Sequence, residues 1–483
     1  MAVGRLANPL LQLSGSELAR LIRRGTVSSE QVVRTHIERA REVNREINAI
    51  VCDRYDAALA EARKADDALR SDPHGNHAPF LGVPCTIKEA FAFEGMPNTS
   101  GLLARRGRLS RQDATAVARL RAAGAIPLGV TNVSELCMWM ESDNKVYGRT
   151  NNPYDKRRTV GGSSGGEGAI IGAGASPFGL GSDVGGSIRM PAFFNGIFGH
   201  KPTGGLVPNT GQFPITEGEA LRYLTTGPMC RRAEDLMPLL RILAGPDGTD
   251  PGCLPFELGD PDTVDLSRLS VLVVDGNGVV SVSPDLLRAQ HEAAEALQRR
   301  GARIHRTTIP ALKHSLQIWA SLLAVSDGPS FAELMGDGTP IDPLVELGRW
   351  AMLRSDHTLP AISLALAERV PKLFPSQAGA FARRGRELRE ELVDRIGDNG
   401  VMLYPPYSHP APFHLAPLLP PIHWIYAAIF NAMELPSTQV PLGLNRRGLP
   451  LGVQVVSVHG NDHVCIAVAQ HLERAFGGWR PPG

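Results

Sequence analysis

Apolar residues recur at helical spacing near the start of the chain. Val33, Ile37, Ala40 and Ile47 fall on one face while Arg and Glu residues fill the other, the pattern of an amphipathic helix docked against a core. Ser28 and Gln31 stand three residues apart at its start, the spacing of a capping box. Ser14 and Glu17 repeat the signal one helix earlier, and Gly25 is placed to end that helix. The spacing predicts a docked helical pair over about the first 65 residues. No chemistry is evident in it.

Between 80 and 245 the pattern changes. Glycines cluster, charges thin out, and short apolar runs such as Ala125-Ile126-Pro127-Leu128-Gly129-Val130 predict buried strands. Val271-Leu272-Val273-Val274 predicts another, followed by a helix with Ser283 as its cap, Pro284 in its first position and Gly301 at its stop. A strand around Ile304, a charged helix over 376–396 and a buried strand at Val401-Met402-Leu403-Tyr404 come next. Strand, helix and strand in succession predict an α/β fold with largely parallel neighbours. No internal repeat and no linker interrupts the chain, so one large domain over 1–483 is expected. Within it, 80–245 is the chemical centre, and 265–483 supplies the rest of the sheet and the elements of a substrate channel.

Composition narrows the function classes. The 483 residues are 43% hydrophobic and 20% charged, ordinary for a globular enzyme. Lys plus Arg (50) and Asp plus Glu (49) nearly cancel to +1, which argues against a nucleic-acid partner, because duplex binding needs a concentrated basic face. The six cysteines, Cys52, Cys85, Cys137, Cys230, Cys253 and Cys465, form no C-x-x-C pair and read as reduced packing residues. His74-x-x-His77 lies in a Pro/Gly/Asn-rich stretch and reads as a surface loop, so neither metal nor cofactor is expected. The N-terminus has no leader pattern, and no stretch approaches the roughly 18 apolar residues of a spanning helix. A soluble, cytoplasmic protein is the expectation.

The least ordinary segment is Gly161-Gly162-Ser163-Ser164-Gly165-Gly166-Glu167. Glycine pairs on both sides of two serines signal close backbone approach or unusual dihedrals. A second segment, Gly181-Ser182-Asp183-Val184-Gly185-Gly186-Ser187-Ile188-Arg189, follows a run of small residues. A Gly-Gly pair directly before a serine leaves consecutive backbone N–H groups able to bind an oxyanion on a carbonyl attacked by that serine. Asp183 and Arg189 flank the segment as a candidate buried ion pair. Gly161-x-Ser163-x-Gly165 and Gly162-x-Ser164-x-Gly166 also satisfy a nucleophile-elbow pattern, with His200, His459 and His463 downstream, but that reading leaves the second serine segment unused. Gly166-x-Gly168-x-x-x-Gly172 misses the dinucleotide fingerprint by one position.

With Gly82-Val83-Pro84-Cys85-Thr86-Ile87-Lys88-Glu89, these segments resemble the amidase-signature family over nearly the whole chain. Gly199-His200-Lys201-Pro202-Thr203 and Gly448-Leu449-Pro450-Leu451-Gly452-Val453-Gln454 extend the match. Thr131–Trp139 (TNVSELCMW), GRTNNPYD, Glu167 and the closing FGGW look most like its fatty acid amide hydrolase branch, the type 2 enzymes in particular. The resemblance implies a mixed β-sheet covered by helices on both sides. It implies Ser187 as nucleophile, Ser163 as proton relay behind a cis peptide bond, and Lys88 as base. The N–H groups of Val184, Gly185, Gly186 and Ser187 would form the oxyanion hole. A lysine that ends an apolar strand is expected to be buried, and burial makes a neutral amine available.

The branch further implies a hydrophobic channel for fatty acyl or aryl amides. Candidate lining comes from Met138, Trp139 and Met140, from the 345–370 stretch, and from Trp424, Ile425 and Phe430 with neighbouring Ile422 and Ile429. The apolar run Pro360–Leu366 reads equally as lid, membrane-contact helix or plain core. The chain begins about where the soluble portion of membrane-anchored relatives begins. The expected partners are therefore a small amide substrate, at most peripheral membrane contact, and a second copy of the chain as an open alternative. The competing function is a glutamine-hydrolysing subunit of a tRNA-dependent amidotransferase.

Overall fold

A computed structural model describes residues 8–324, 328–369 and 375–483. The first seven residues of the N-terminal segment and residue 370 of the 345–370 stretch lie outside the described residues. The predicted helical pair forms at Gly15–Arg23 and Ser29–Ile47. Ser14 Oγ accepts from the Glu17 N–H at 2.9 Å and Ser28 Oγ from the Gln31 N–H at 3.0 Å, so both capping serines act as their spacing requires. Ser283 precedes the helix Pro284–Gln298, but its hydroxyl makes no capping bond and is buried without a partner among the described residues. Its backbone N–H donates instead to the Ser408 carbonyl at 2.7 Å.

Among the described residues, eleven strands form one sheet. In spatial order they are Ile50–Asp53, Ile126–Thr131, Pro84–Lys88, Phe178–Asp183, Thr225–Cys230, Phe198–Lys201, Ser437–Leu444, Pro450–Val456, Gly400–Tyr404, Ser270–Val273 and Arg303–Arg306. The expectation of largely parallel neighbours holds only toward the edges. Pro84–Lys88 runs parallel to both its neighbours, and Ser270–Val273 to both of its own. Every pairing from Phe178–Asp183 across to Gly400–Tyr404 is antiparallel. Of these, only Ser437–Leu444 and Pro450–Val456 are joined by a short turn; the other antiparallel pairs bring together strands far apart in sequence, such as Phe198–Lys201 and Ser437–Leu444.

Alternate strand residues serve different cores, as a pleated strand requires. Val271, Val273, Val401 and Leu403 pack with Leu286 and Leu297 and with Val464 and Leu472, from the helices Pro284–Gln298 and Asp462–Phe476. Leu272, Met402 and Tyr404 belong to another cluster, with Ile318, Leu392 and Phe430 from the helices Ser315–Ala324, Pro375–Ile396 and Ile425–Ala432. Helices thus cover both faces of a mixed sheet. The three glycine- and lysine-bearing segments meet where Pro84–Lys88 and Phe178–Asp183 end side by side.

Candidate active site

Lys88 closes a strand whose five residues are all buried. Cys85 and Ile87 face the main core, so Thr86 and Lys88 leave by the opposite face. Lys88 Nζ lies 2.7 Å from Ser163 Oγ and 2.9 Å from Ser182 Oγ. Burial pushes the amine below the ordinary lysine value, against the opposing pull of Cys137, Asp183 and Glu167.

Glu167 bonds to the lysine's own strand and to the strand beside it. Its carboxylate, on the helix Gly165–Gly172, accepts from Thr86 Oγ1 at 2.6 Å and Thr131 Oγ1 at 2.9 Å. Thr131 is the register partner of Lys88 in the adjacent strand. Burial pushes the Glu167 carboxyl up to about 8. Its place depends on Gly179, since a Cβ there would stand 1.9 Å from Glu167 Oε2.

The glycine pairs around Ser163 serve close approach. A Cβ on Gly162 would stand 2.2 Å from the Trp139 carbonyl oxygen. The Gly162–Ser163 peptide bond is cis, as the resemblance implied. Ser142 pins the turn, accepting from the Gly165 N–H at 2.9 Å and lying 3.2 Å from the Gly161 and Ser163 carbonyls. The Ser164 N–H donates to the Ser187 carbonyl at 3.2 Å, which joins the two serine segments directly.

Asp183 and Arg189 bracket Ser187 as a fully buried bidentate pair, with Nε–Oδ2 and Nη2–Oδ1 both at 3.0 Å. Burial alone would raise the Asp183 carboxyl. The Arg189 guanidinium and the Ile188 and Gly186 N–H groups overcome it and hold the carboxyl well below the usual carboxylate range. One expected oxyanion donor is thereby redirected, because the Gly186 N–H points at Asp183 Oδ1 at 2.6 Å. The carboxylate that curls the loop draws that donor inward. The N–H groups of Val184, Gly185 and Ser187 have no hydrogen-bond partner among the described residues.

The expected lining residues separate by exposure. Trp139 and Trp424 are half-buried, and Met138 packs partly buried against Leu102, Leu136 and Phe331. Met140 (4% exposed), Ile425 (4%) and Phe430 (0%) are core residues. Phe430 packs edge-on to Tyr404, which withdraws it from an open wall. Trp319, which the sequence did not single out, pairs with Trp424, their ring centroids 4.7 Å apart and nearly perpendicular. A Cβ on Gly185 would lie 3.4 Å from Trp424 and 3.5 Å from Trp319, so both indoles border the loop before Ser187.

The elbow reading finds no histidine. Ser163 pairs with Lys88, and Ser164 Oγ lies 3.3 Å from the Ser182 carbonyl. His200 is engaged by Thr438 and Asp462, and His459 packs edge-on against Phe256. His463 is half-buried and makes no hydrogen bond to either serine. Gly166, Gly168 and Gly172 lie within a buried helix, not in an open phosphate loop. His74 is exposed, as a surface loop requires.

A family model described as "Amidase" matches residues 31–466. Fatty-acid amide hydrolase 2-A of Danio rerio is 50% identical over 497 residues, spanning 99% of this chain and 91% of that protein. Fatty-acid amide hydrolase 2 of Homo sapiens is 47% identical, spanning 99% and 92%. The solved 6-aminohexanoate cyclic dimer hydrolase superposes with a TM-score of 0.82 at 25% identity, covering 98% of this chain and 99% of that one.

Proposed function

The chain belongs to the amidase family and is an amide hydrolase, and from that premise we propose that it cleaves hydrophobic carboxylic amides through Ser187, Ser163 and Lys88. The observation that carries this reading is the 2.7 Å contact between Lys88 Nζ and Ser163 Oγ, beside a turn stitched to Ser187. Neutral Lys88 takes the Ser163 proton as Ser163 takes that of Ser187, and Ser187 Oγ adds to the amide carbon. The carbonyl π pair moves onto oxygen, where the N–H groups of Val184, Gly185 and Ser187 receive it. Ser163 then delivers a proton to the amine as the C–N bond breaks and Lys88 reprotonates Ser163, which spares the expulsion of an amide anion. Water, deprotonated along the same path, frees the acid from Ser187.

The substrate class we propose is fatty acyl amides, with aryl amides as lesser substrates. Support comes from half-identity to fatty-acid amide hydrolases and from the Trp319–Trp424 pair beside the nucleophile loop. A glutamine-hydrolysing subunit of an amidotransferase is the less supported alternative. Turnover of oleamide, short aliphatic amides, anilides and glutamine by the purified chain tests the choice. Oleamide is expected to lead, and turnover confined to glutamine overturns the proposal.

We place the enzyme in a reducing cytoplasm, consistent with six free cysteines, and in peripheral contact with a membrane. No described helix is long and apolar enough to cross one. The helix Pro343–Ala351 and the turn after it expose Leu344 (60%), Val345, Trp350, Met352 and Leu353 (92%), while Ala361, Ile362 and Ala365 of the next helix are buried. Within the 345–370 stretch, the first part is therefore the contact element and the second its anchor.

A further inference from the structure

The loop before Ser187 is held by its carbonyls. The Asp183 carbonyl accepts from Asn431 Nδ2 at 2.8 Å and Thr225 Oγ1 at 3.1 Å. The Val184 carbonyl accepts from the Trp319 indole N–H at 2.9 Å, and the Gly186 carbonyl from the Met190 N–H at 2.8 Å. In a planar trans peptide the C=O and N–H of one unit point in opposite directions. Fixing these three carbonyls therefore aims the N–H groups of Val184, Gly185 and Ser187 to the far side of their peptide planes. These are the three donors without a partner among the described residues.

The anchors of the three carbonyls differ in kind. Asn431 is buried and also donates to Tyr223 and accepts from Arg189, and Met190 acts through helix backbone. The anchor of the Val184–Gly185 unit is one half-buried side chain brought by the helix Ser315–Ala324. Trp319 is seated by its edge-on contact with Trp424, and both rings lie against Gly185. Gly185 leaves room for the indoles to approach the peptide while its N–H remains open on the other side.

We propose that Trp319 is a positioning residue for amide hydrolysis, its indole N–H holding the Val184 carbonyl so that the Gly185 N–H meets the developing oxyanion. The inference rests on Ser187 as the nucleophile. An interaction realised mainly in the transition state moves kcat and leaves KM in place. Direct loss of one oxyanion donor costs about 10²–10³-fold, and loss of its support should cost less, about tenfold.

The test compares wild type with Trp319→Phe, which keeps a ring against Trp424 and removes the N–H. The expected result is about a tenfold fall in kcat at unchanged KM. An oleyl trifluoromethyl ketone, whose hemiketal oxyanion mimics the transition state, should bind more weakly by the same factor, while 1-octadecene, which brings no oxygen to the loop, should bind equally. Kcat and ketone affinity within twofold of wild type overturn the proposal, as does an equal loss for ketone and 1-octadecene, which would mark a packing role. If Trp319→Phe loses its denaturation midpoint, benzothienylalanine at 319, which puts sulfur in place of the N–H in an isosteric ring, gives the same readings. Fluorophosphonate labelling of the wild type separates the two failures: an unlabelled Ser187 removes the nucleophile assignment, whereas a labelled Ser187 with unchanged Trp319→Phe kinetics removes only this inference.

Discussion

Lys88 Nζ stands 2.7 Å from Ser163 Oγ in a setting with almost no solvent. Burial disfavours the ammonium form and lowers the amine below its ordinary value. A base acts in its unprotonated form, so kcat/KM should rise with pH, with a midpoint below the ordinary lysine value of about 10.4. Lys88→Ala should lower kcat by about 10²–10⁴-fold and flatten that rise. A wild-type profile flat from neutral to alkaline pH, with chemistry limiting turnover, would contradict the role of Lys88.

Glu167 titrates in the same neighbourhood, pushed up to about 8, and its carboxylate favours the Lys88 ammonium. Glu167→Gln removes the negative charge, so the rise of kcat/KM should move to lower pH. Stability carries a second signature. Between about 4.5 and 8 the folded chain keeps a proton that the unfolded carboxyl has released, so this group's contribution falls as pH rises through that window. Denaturation midpoints of Glu167→Gln should lose that part of the slope. A stability profile unchanged by Glu167→Gln would show that the carboxyl titrates alike in the folded and unfolded chain, and an unchanged kcat/KM profile that its charge does not reach Lys88.

Arg189 carries the buried charge that balances Asp183, and it also donates to Ala427, Gln454 and Asn431. Arg189→Met leaves a carboxylate without its counter-ion and should cost about 3–5 kcal/mol in denaturant unfolding. Activity should fall with it, because Asp183 binds the Gly186 and Ile188 N–H groups that curl the nucleophile loop. A loss under about 1 kcal/mol would mean that the loop holds its shape without the pair.

Leu353 lies at the end of the exposed apolar face. Leu353→Glu combined with Leu344→Glu should reduce co-sedimentation with phosphatidylcholine vesicles severalfold. Hydrolysis of a short soluble amide should be unaffected. Equal sedimentation of variant and wild type would remove this face from membrane contact.

Local features were the most legible in the sequence. Ser14 and Ser28 cap because one side chain and one nearby N–H suffice, and Val401–Tyr404 is a strand because its neighbours bury both faces. The glycine-flanked serines were visible because close approach such as that of Gly162 to Trp139 leaves few alternatives. The antiparallel centre was hidden, since most of its strands pair with partners far away in sequence, such as Phe198–Lys201 with Ser437–Leu444. Trp319 was hidden for a related reason: its partner, Val184, is 135 residues away, and no spacing rule connects them. The Gly186 donor was misread because nothing local tells whether Asp183 turns inward to take it. Ser182 carried a weak signal, five residues before Ser187 in a strand destined to lie beside Lys88.

The central claim is that Ser187 is the nucleophile. Treating the full chain with a fluorophosphonate and mapping the adduct by peptide mass spectrometry tests it most directly. The account predicts stoichiometric modification of Ser187, abolished in Ser187→Ala and slowed in Lys88→Ala. An adduct on Ser163 or Ser164, with Ser187 unmodified, would contradict it.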